Sequence, residues 1–152
     1  MEGKGRVWEV EVAPSITATF SCALDTPHWE VSCCDTYRVL HVRRHAVGMP
    51  DARAMLLSWA PIHELADQLP LETWFLCLDM RLAPPSHDPE VEQALRRSRA
   101  RVSERTQRYA VILKSAAGVL HATRLVQPQS NLESRIFRDD VAGALRFLIR
   151  GE

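Results

Sequence analysis

A chain of 152 residues has the size of one ordinary domain. Its 46% hydrophobic and 25% charged residues exclude disordered, collagen-like and low-complexity classes. The 19 basic residues cancel the 19 acidic ones, so no overall field steers the chain onto nucleic acid or a membrane surface. The longest uninterrupted apolar stretches, Trp74–Leu78 and Tyr109–Leu113, fall far short of the ~20 residues that span a bilayer. No apolar leader follows the charged start from Met1 to Gly5, so a cytoplasmic setting without a membrane span is expected. Cys22, Cys33, Cys34 and Cys77 contain no C-x-x-C spacing. They are expected to be buried free thiols in preference to a zinc site with His41 or His45, and no cofactor is implied. All basic residues except Lys4 and Lys114 are arginine, a supply of planar forks suited to carboxylate or phosphate partners.

In chain order, Val7–Val12 alternates apolar and acidic residues with period two, the mark of a half-buried strand. Ala13-Pro14-Ser15 is a turn, and Ile16–Cys22 is a second strand with threonine at alternate positions. After the break at Asp25-Thr26-Pro27, a short strand lies around Trp29–Cys33. Tyr37–Arg44 alternates Tyr37, Val39, His41, Arg43 against Arg38, Leu40, Val42, Arg44, and which of the two faces is buried stays open. Pro50-Asp51 opens a helix with Met55, Trp59, Ile62, Ala66 and Leu69 at three-and-four spacing, which Pro61 should kink or split and Pro70 ends. Glu72–Asp79 reads as a strand covered on both faces. A turn-rich loop, Arg81 to His87, leads to Asp88-Pro89-Glu90, an N-cap, a first-position proline and an acidic first turn. That helix is expected to reach about Gln107. Tyr109–Lys114 is a further buried strand, and Ser115 caps a helix from Ala116 to about Arg124. Gln127–Ser134 reads as loop, Ile136–Arg138 as a brief strand, and Val141–Arg150 as a last helix capped by Asp139 or Asp140 and closed by Gly151.

From Tyr37 onward the order is β-α-β-α-β-α-β-α, which implies an α/β fold with a mostly parallel sheet and helices packed on it. The earlier strands extend that sheet or form an antiparallel hairpin at its edge. Four tryptophans punctuate the chain: Trp59 and Trp74 fall in apolar periodic runs and belong to the core, and core is also expected for Trp8 and Trp29 in preference to exposed interface anchors.

Three segments carry a family resemblance: Phe75-Leu76-Cys77-Leu78-Asp79-Met80-Arg81; Tyr109-Ala110-Val111-Ile112-Leu113; and Ile136-Phe137-Arg138-Asp139-Asp140 with Ala144-Leu145-Arg146-Phe147-Leu148. In this order and setting the chain resembles the STAS domain, the fold of bacterial anti-sigma-factor antagonists, over about residues 37–150. The resemblance implies a single STAS-like domain, with 1–36 as an N-terminal β extension of antiparallel strands and 37–150 as the core. It also implies a non-enzymatic regulator that docks a partner protein, often a kinase-like anti-sigma factor. In that family a serine within Asp-Ser-Ser-Gly at the start of the second helix is the phosphorylation switch. Counting from Asp79, this chain has His87-Asp88-Pro89-Glu90 there, with Ser86 nearby but in a different setting, so Asp88 becomes a permanently acidic counterpart.

Two clusters are candidate binding sites. Asp79 stands at the carboxyl end of a central strand, where open α/β sheets place ligands, with Ser86, His87 and Asp88 in the following loop. Arg97, Arg101, Arg105 and Arg108 are spaced by four, four and three, so on one continuous helix they share a side and offer an arginine stripe to an acidic partner. The first reading is therefore a regulatory protein-binding module. The alternative is a small ligand-binding protein or enzyme using Asp79, His87 and Asp88. A third is self-assembly through an exposed N-terminal strand, giving a homo-oligomer. Nucleic acid is not an expected partner, because no aromatics interleave the arginines.

Overall fold

The computed structural model describes residues 5–125 and 133–152. Seven strands and four helices follow one another as β1 (Val7–Ala13), β2 (Ile16–Asp25), β3 (Trp29–Cys34), β4 (Val39–Arg44), α1 (Ala52–Ala66), β5 (Phe75–Asp79), α2 (Pro89–Ser103), β6 (Arg108–Leu113), α3 (Ala116–Leu125), β7 (Glu133–Arg138) and α4 (Val141–Arg150). The strands lie side by side in chain order in one sheet. From β1 to β4 each strand runs antiparallel to the one before. From β4 to β7 each runs parallel. The fold class is α/β, and the β-α-β-α-β-α-β-α order from β4 onward is observed. The sheet is mixed: the N-terminal strands are antiparallel, as expected, because they pair by tight turns that reverse the chain, and they extend the parallel part as one sheet. At the first of these turns Pro14 is followed by Ser15 in the left-handed region, φ 65°.

Alternation along the strands sorts side chains onto two faces. On one face Trp29, Val31, Leu40, Val42, Leu76, Leu78, Tyr109 and Val111 pack with Met55, Trp59 and Ile62 of α1 and with Val91, Ala94 and Val102 of α2. On the other, Val12, Ala18, Phe20, Cys34, Val39, Cys77, Ala110 and Ile112 pack with Ala144, Leu145, Phe147 and Leu148 of α4. Both faces of β4 are therefore buried, which resolves the face left open by its sequence. Cys33 and Cys34 fall on opposite faces, and all four cysteines are free thiols. Trp29 and Trp59 are fully buried and Trp74 nearly so, while Trp8 is half-buried.

The sheet is curled. Laid flat, seven strands would spread roughly 29 Å, yet α4 touches both edge strands. Arg146 Nη1 donates to the Val12 carbonyl of β1 at 2.9 Å, and the rings of Phe147 and Phe137 of β7 lie 5.9 Å apart. The start of α4 is tightly built: Asp140 accepts from the Gly143 N–H, and a Cβ at position 143 would come within 2.1 Å of Asp140 Oδ2. A side chain at 143 would push the Asp140 carboxylate off that cap.

Several boundaries differ from expectation. Helix α1 continues through Pro61 without splitting. The carbonyl that loses its bond belongs to Leu57, a residue 61% exposed, so water can satisfy it. The run read as a strand from Glu72 begins instead with one 3₁₀ turn, Leu71–Thr73, and β5 starts at Phe75. Helix α2 stops at Ser103, short of Gln107. Its last turn tightens, Thr106 Oγ1 donates to the Ser103 carbonyl at 2.7 Å, and the Gln107 N–H reaches the Trp74 carbonyl at 3.0 Å, drawing the chain into the sheet. Arg105 and Arg108 consequently do not lie on α2, and the four-arginine stripe does not form. Of the loop expected at Gln127–Ser134, residues 127–132 lie outside the described residues and the last two open β7.

Candidate functional site

A cavity of about 350 Å³ opens on the α4 side of the sheet, lined by Arg6, Trp8, Val10, His41, Arg43, Asp79, Arg81 and Val141. The sheet's own register builds it. Period two places His41 and Arg43 of β4 on the α4 face, and parallel pairing sets Arg43 opposite Asp79 at the carboxyl end of β5. The curl then brings Trp8 and Val10 of β1 over the same face, and α4 begins at the rim with Val141.

Asp79 is 2% exposed, and Arg81 occupies both of its oxygens. Oδ1 accepts from the Arg81 backbone N–H at 3.2 Å and from Nε at 3.0 Å, and Oδ2 accepts from Nη2 at 2.9 Å. Burial alone would raise this carboxyl, but the adjacent His41 and the Arg81 guanidinium more than reverse it and hold the group well below the usual carboxylate range. Arg81 is correspondingly held as a cation by Asp79. Its Nη1 also donates to Asp139 Oδ1 at 3.1 Å, tying the loop after β5 to the turn before α4. Asp139 takes a left-handed φ of 46° there, and its N–H donates to the Leu113 carbonyl at 2.7 Å.

His41 is 2% exposed. Its Nε2 lies 3.5 Å from Asp79 Oδ2, an ion-pair distance too long and too poorly aligned for a hydrogen bond, and neither ring nitrogen has a hydrogen-bond partner. The imidazole is held by aromatic edges instead, 4.9 Å from Trp8 at 71° and 5.7 Å from Phe20 at 62°. Trp8 stacks on Phe20 at 4.3 Å and donates its indole N–H to Ser32 Oγ at 3.2 Å. Arg6 is paired with the buried Glu30. Arg43 is half-buried and has no ion pair among the described residues.

Of the sequence candidates, only Asp79 stands in this cavity. Ser86, His87 and Asp88 are exposed and do not line it. Asp88 acts as the N-cap of α2, accepting from the Glu90 N–H at 2.9 Å. Arg97 is exposed on α2. Arg101 and Arg105 converge on Asp67, just beyond α1, at 3.8 and 2.8 Å. Arg108 opens β6, donates to the Phe147 and Leu148 carbonyls at 3.1 and 2.8 Å, and lies 5.3 Å over the Phe75 ring. It tethers the end of α4 to the sheet. Sequence reasoning missed His41, Arg43 and Trp8 as one group. The signal for the first two is their shared parity on β4, but nothing local to the chain announces that β5 lies beside them and that Trp8 of β1 meets the His41 ring.

A second cavity of about 440 Å³ lies between α1 and α2, lined by Leu56, Ala60, His63, Glu64, Asp67, Ser98 and Arg101. Burial, reinforced by the nearby Arg101 charge, lowers the His63 pKa below its ordinary value. Burial pushes the Cys33 thiol up to about 11, which disfavours the thiolate that would be reactive or bind metal. Among the described residues no cluster of His, Cys, Asp and Glu could hold a metal ion, and no helix is long and apolar enough to cross a membrane. The class that fold and site define is thus an α/β domain with a curled mixed sheet and a charged cavity on its concave face. No protein-family model matches the chain, and no curated protein or solved structure matches it.

Proposed function

We propose that the chain is a non-enzymatic regulatory module of STAS-like architecture, which docks a partner protein through the loop leading into α2 and the exposed side of that helix. The observation that carries this reading is the exposure of Ser86, His87 and Asp88 at the place where the resembled family carries its switch serine. An aspartate carries negative charge there without a kinase, and its side chain is already fixed at the helix N-terminus. The strand and helix order from β4 to α4 supports the same architecture. Arg97 is exposed on the same helix and has no ion pair among the described residues, so it offers a guanidinium fork to an acidic partner surface.

The alternative, an enzyme using Asp79, His87 and Asp88, is less well supported. Arg81 occupies both Asp79 oxygens, and the two loop residues stand outside the cavity that Asp79 lines. A base that is to take a proton needs a free lone pair within reach of its substrate.

The test uses Asp88→Asn, which keeps the N-cap but removes the charge, together with Arg97→Glu. Immobilised wild type should capture a stoichiometric partner from lysate of the source organism. Each variant should keep the wild-type melting temperature and lose that capture. Equal capture by wild type and both variants would overturn this docking surface, and no stoichiometric capture by wild type would overturn the reading as a whole.

A further inference from the structure

The concave cavity has features that its own structural role does not require. His41 is buried on its wall, with no hydrogen bond to either ring nitrogen and Nε2 turned 3.5 Å from Asp79 Oδ2. Arg43 is the lining cation left over. Glu30 answers Arg6, and Asp79 with Asp139 answers Arg81, whereas Arg43 faces the cavity without an ion pair among the described residues. Trp8, Val10 and Val141 add apolar surface to the same lining. The volume, about 350 Å³, lies at the small end of the range for ligand pockets.

We propose that this cavity binds a small organic monocarboxylate, with the carboxylate on Arg43 and a flat apolar body against Trp8 and Val10. One uncommitted guanidinium matches a single negative charge, which favours a carboxylate over a phosphate dianion. Guanidinium and carboxylate also match as planar two-pronged partners. Asp79 has both oxygens held by Arg81, so its charge is already answered within the chain. The site is separate from the α2 loop, so it stands or falls independently of partner docking.

Benzoate is the probe, with benzamidine as the cation of the same shape and inorganic phosphate as the anion without an apolar body. Calorimetry is combined with the NMR signal of the Trp8 indole N–H. Benzoate should bind wild type and shift that signal, and benzamidine and phosphate should bind at least about tenfold more weakly. Arg43→Gln should weaken benzoate about tenfold or more at an unchanged melting temperature. Val10→Phe leaves every charge in place and fills the apolar wall, so it should weaken benzoate likewise and keeps the proposal testable if Arg43→Gln does not fold. The proposal is overturned if benzoate gives neither heat nor a Trp8 shift at millimolar concentration. It is equally overturned if benzamidine or phosphate binds as tightly, or if a folded Arg43→Gln or Val10→Phe binds benzoate like wild type.

Discussion

At the scale of single residues, Asp79 is a buried carboxylate whose charge state bears on the fold. Its carboxyl is held below the ordinary range when folded and returns to about 4 when the chain unfolds. The unfolded chain therefore takes up more protons in acid, and the stability that Asp79 brings is complete above its unfolded pKa and drains away as pH falls below it. Asp79→Asn should lower stability at neutral pH by roughly 1–3 kcal/mol, the cost of removing the charged hydrogen bonds to Arg81. It should also flatten the acid limb of a melting-temperature profile from pH 7 to pH 3. A variant as steep in acid as wild type would show that other carboxylates govern that limb. Ser15 illustrates a smaller effect: a left-handed residue without glycine costs roughly 1–2 kcal/mol. Because glycine loses about 0.5–1 kcal/mol in chain entropy, Ser15→Gly should stabilise by about 1 kcal/mol or less in urea titrations.

At the scale of elements, the sequence was most legible where side chains act on their own backbone. Asp88, Pro89 and Glu90 announced the start of α2, and the Asp139-Asp140 pair with Gly151 bracketed α4, Asp140 being the cap, because caps are read from a few adjacent residues. Asp88→Ala should cost about 0.5–2 kcal/mol in thermal melts, while Asp88→Asn should be close to neutral. The far end of α2 was not legible, since what stops it is a bond from Gln107 to Trp74, a residue of a neighbouring segment. The error carried over to the arginine stripe. Arg101 and Arg105 do not face one another as bare like charges, because both converge on Asp67. The double reversal Arg101→Glu with Arg105→Glu therefore sets three acids together and should destabilise by up to about 1 kcal/mol, the range of exposed pairs. That loss should shrink in high salt. A double variant as stable as wild type at low salt would show that the Asp67 cluster contributes nothing.

At the scale of the whole molecule, the α/β alternation was legible from Tyr37 onward and the curl was not. Buried strands announce themselves by composition: Leu76 and Ile112 are fully buried on opposite faces of the sheet. Leu76→Ala and Ile112→Ala should each cost about 2–5 kcal/mol in chemical denaturation. They lie in separate clusters, so the double variant should come close to the sum of the two. A marked departure would mean that the layers on the two faces of the sheet are mechanically coupled. The curl depends on how α4 meets β1, a contact between residues far apart in the chain that no window of neighbouring residues reports. For the same reason the candidate cavity was visible only at Asp79. Asp79 stood out at the end of an apolar strand, whereas His41 and Trp8 looked like ordinary strand residues until the sheet brought them together.

The bond from Arg146 to the Val12 carbonyl closes a span of 134 residues. During synthesis, the first strands leave the ribosome long before the helix that covers their concave side exists. Trp8, Val10 and Phe20 then wait with their apolar side open, and the nascent chain is most vulnerable to sticking to its neighbours in that interval. Completion comes late and all at once, when α4 arrives and seals both margins of the sheet together. Chains stalled before α4 should accordingly be held by chaperones or degraded, although three of the four helices and every strand have already been made.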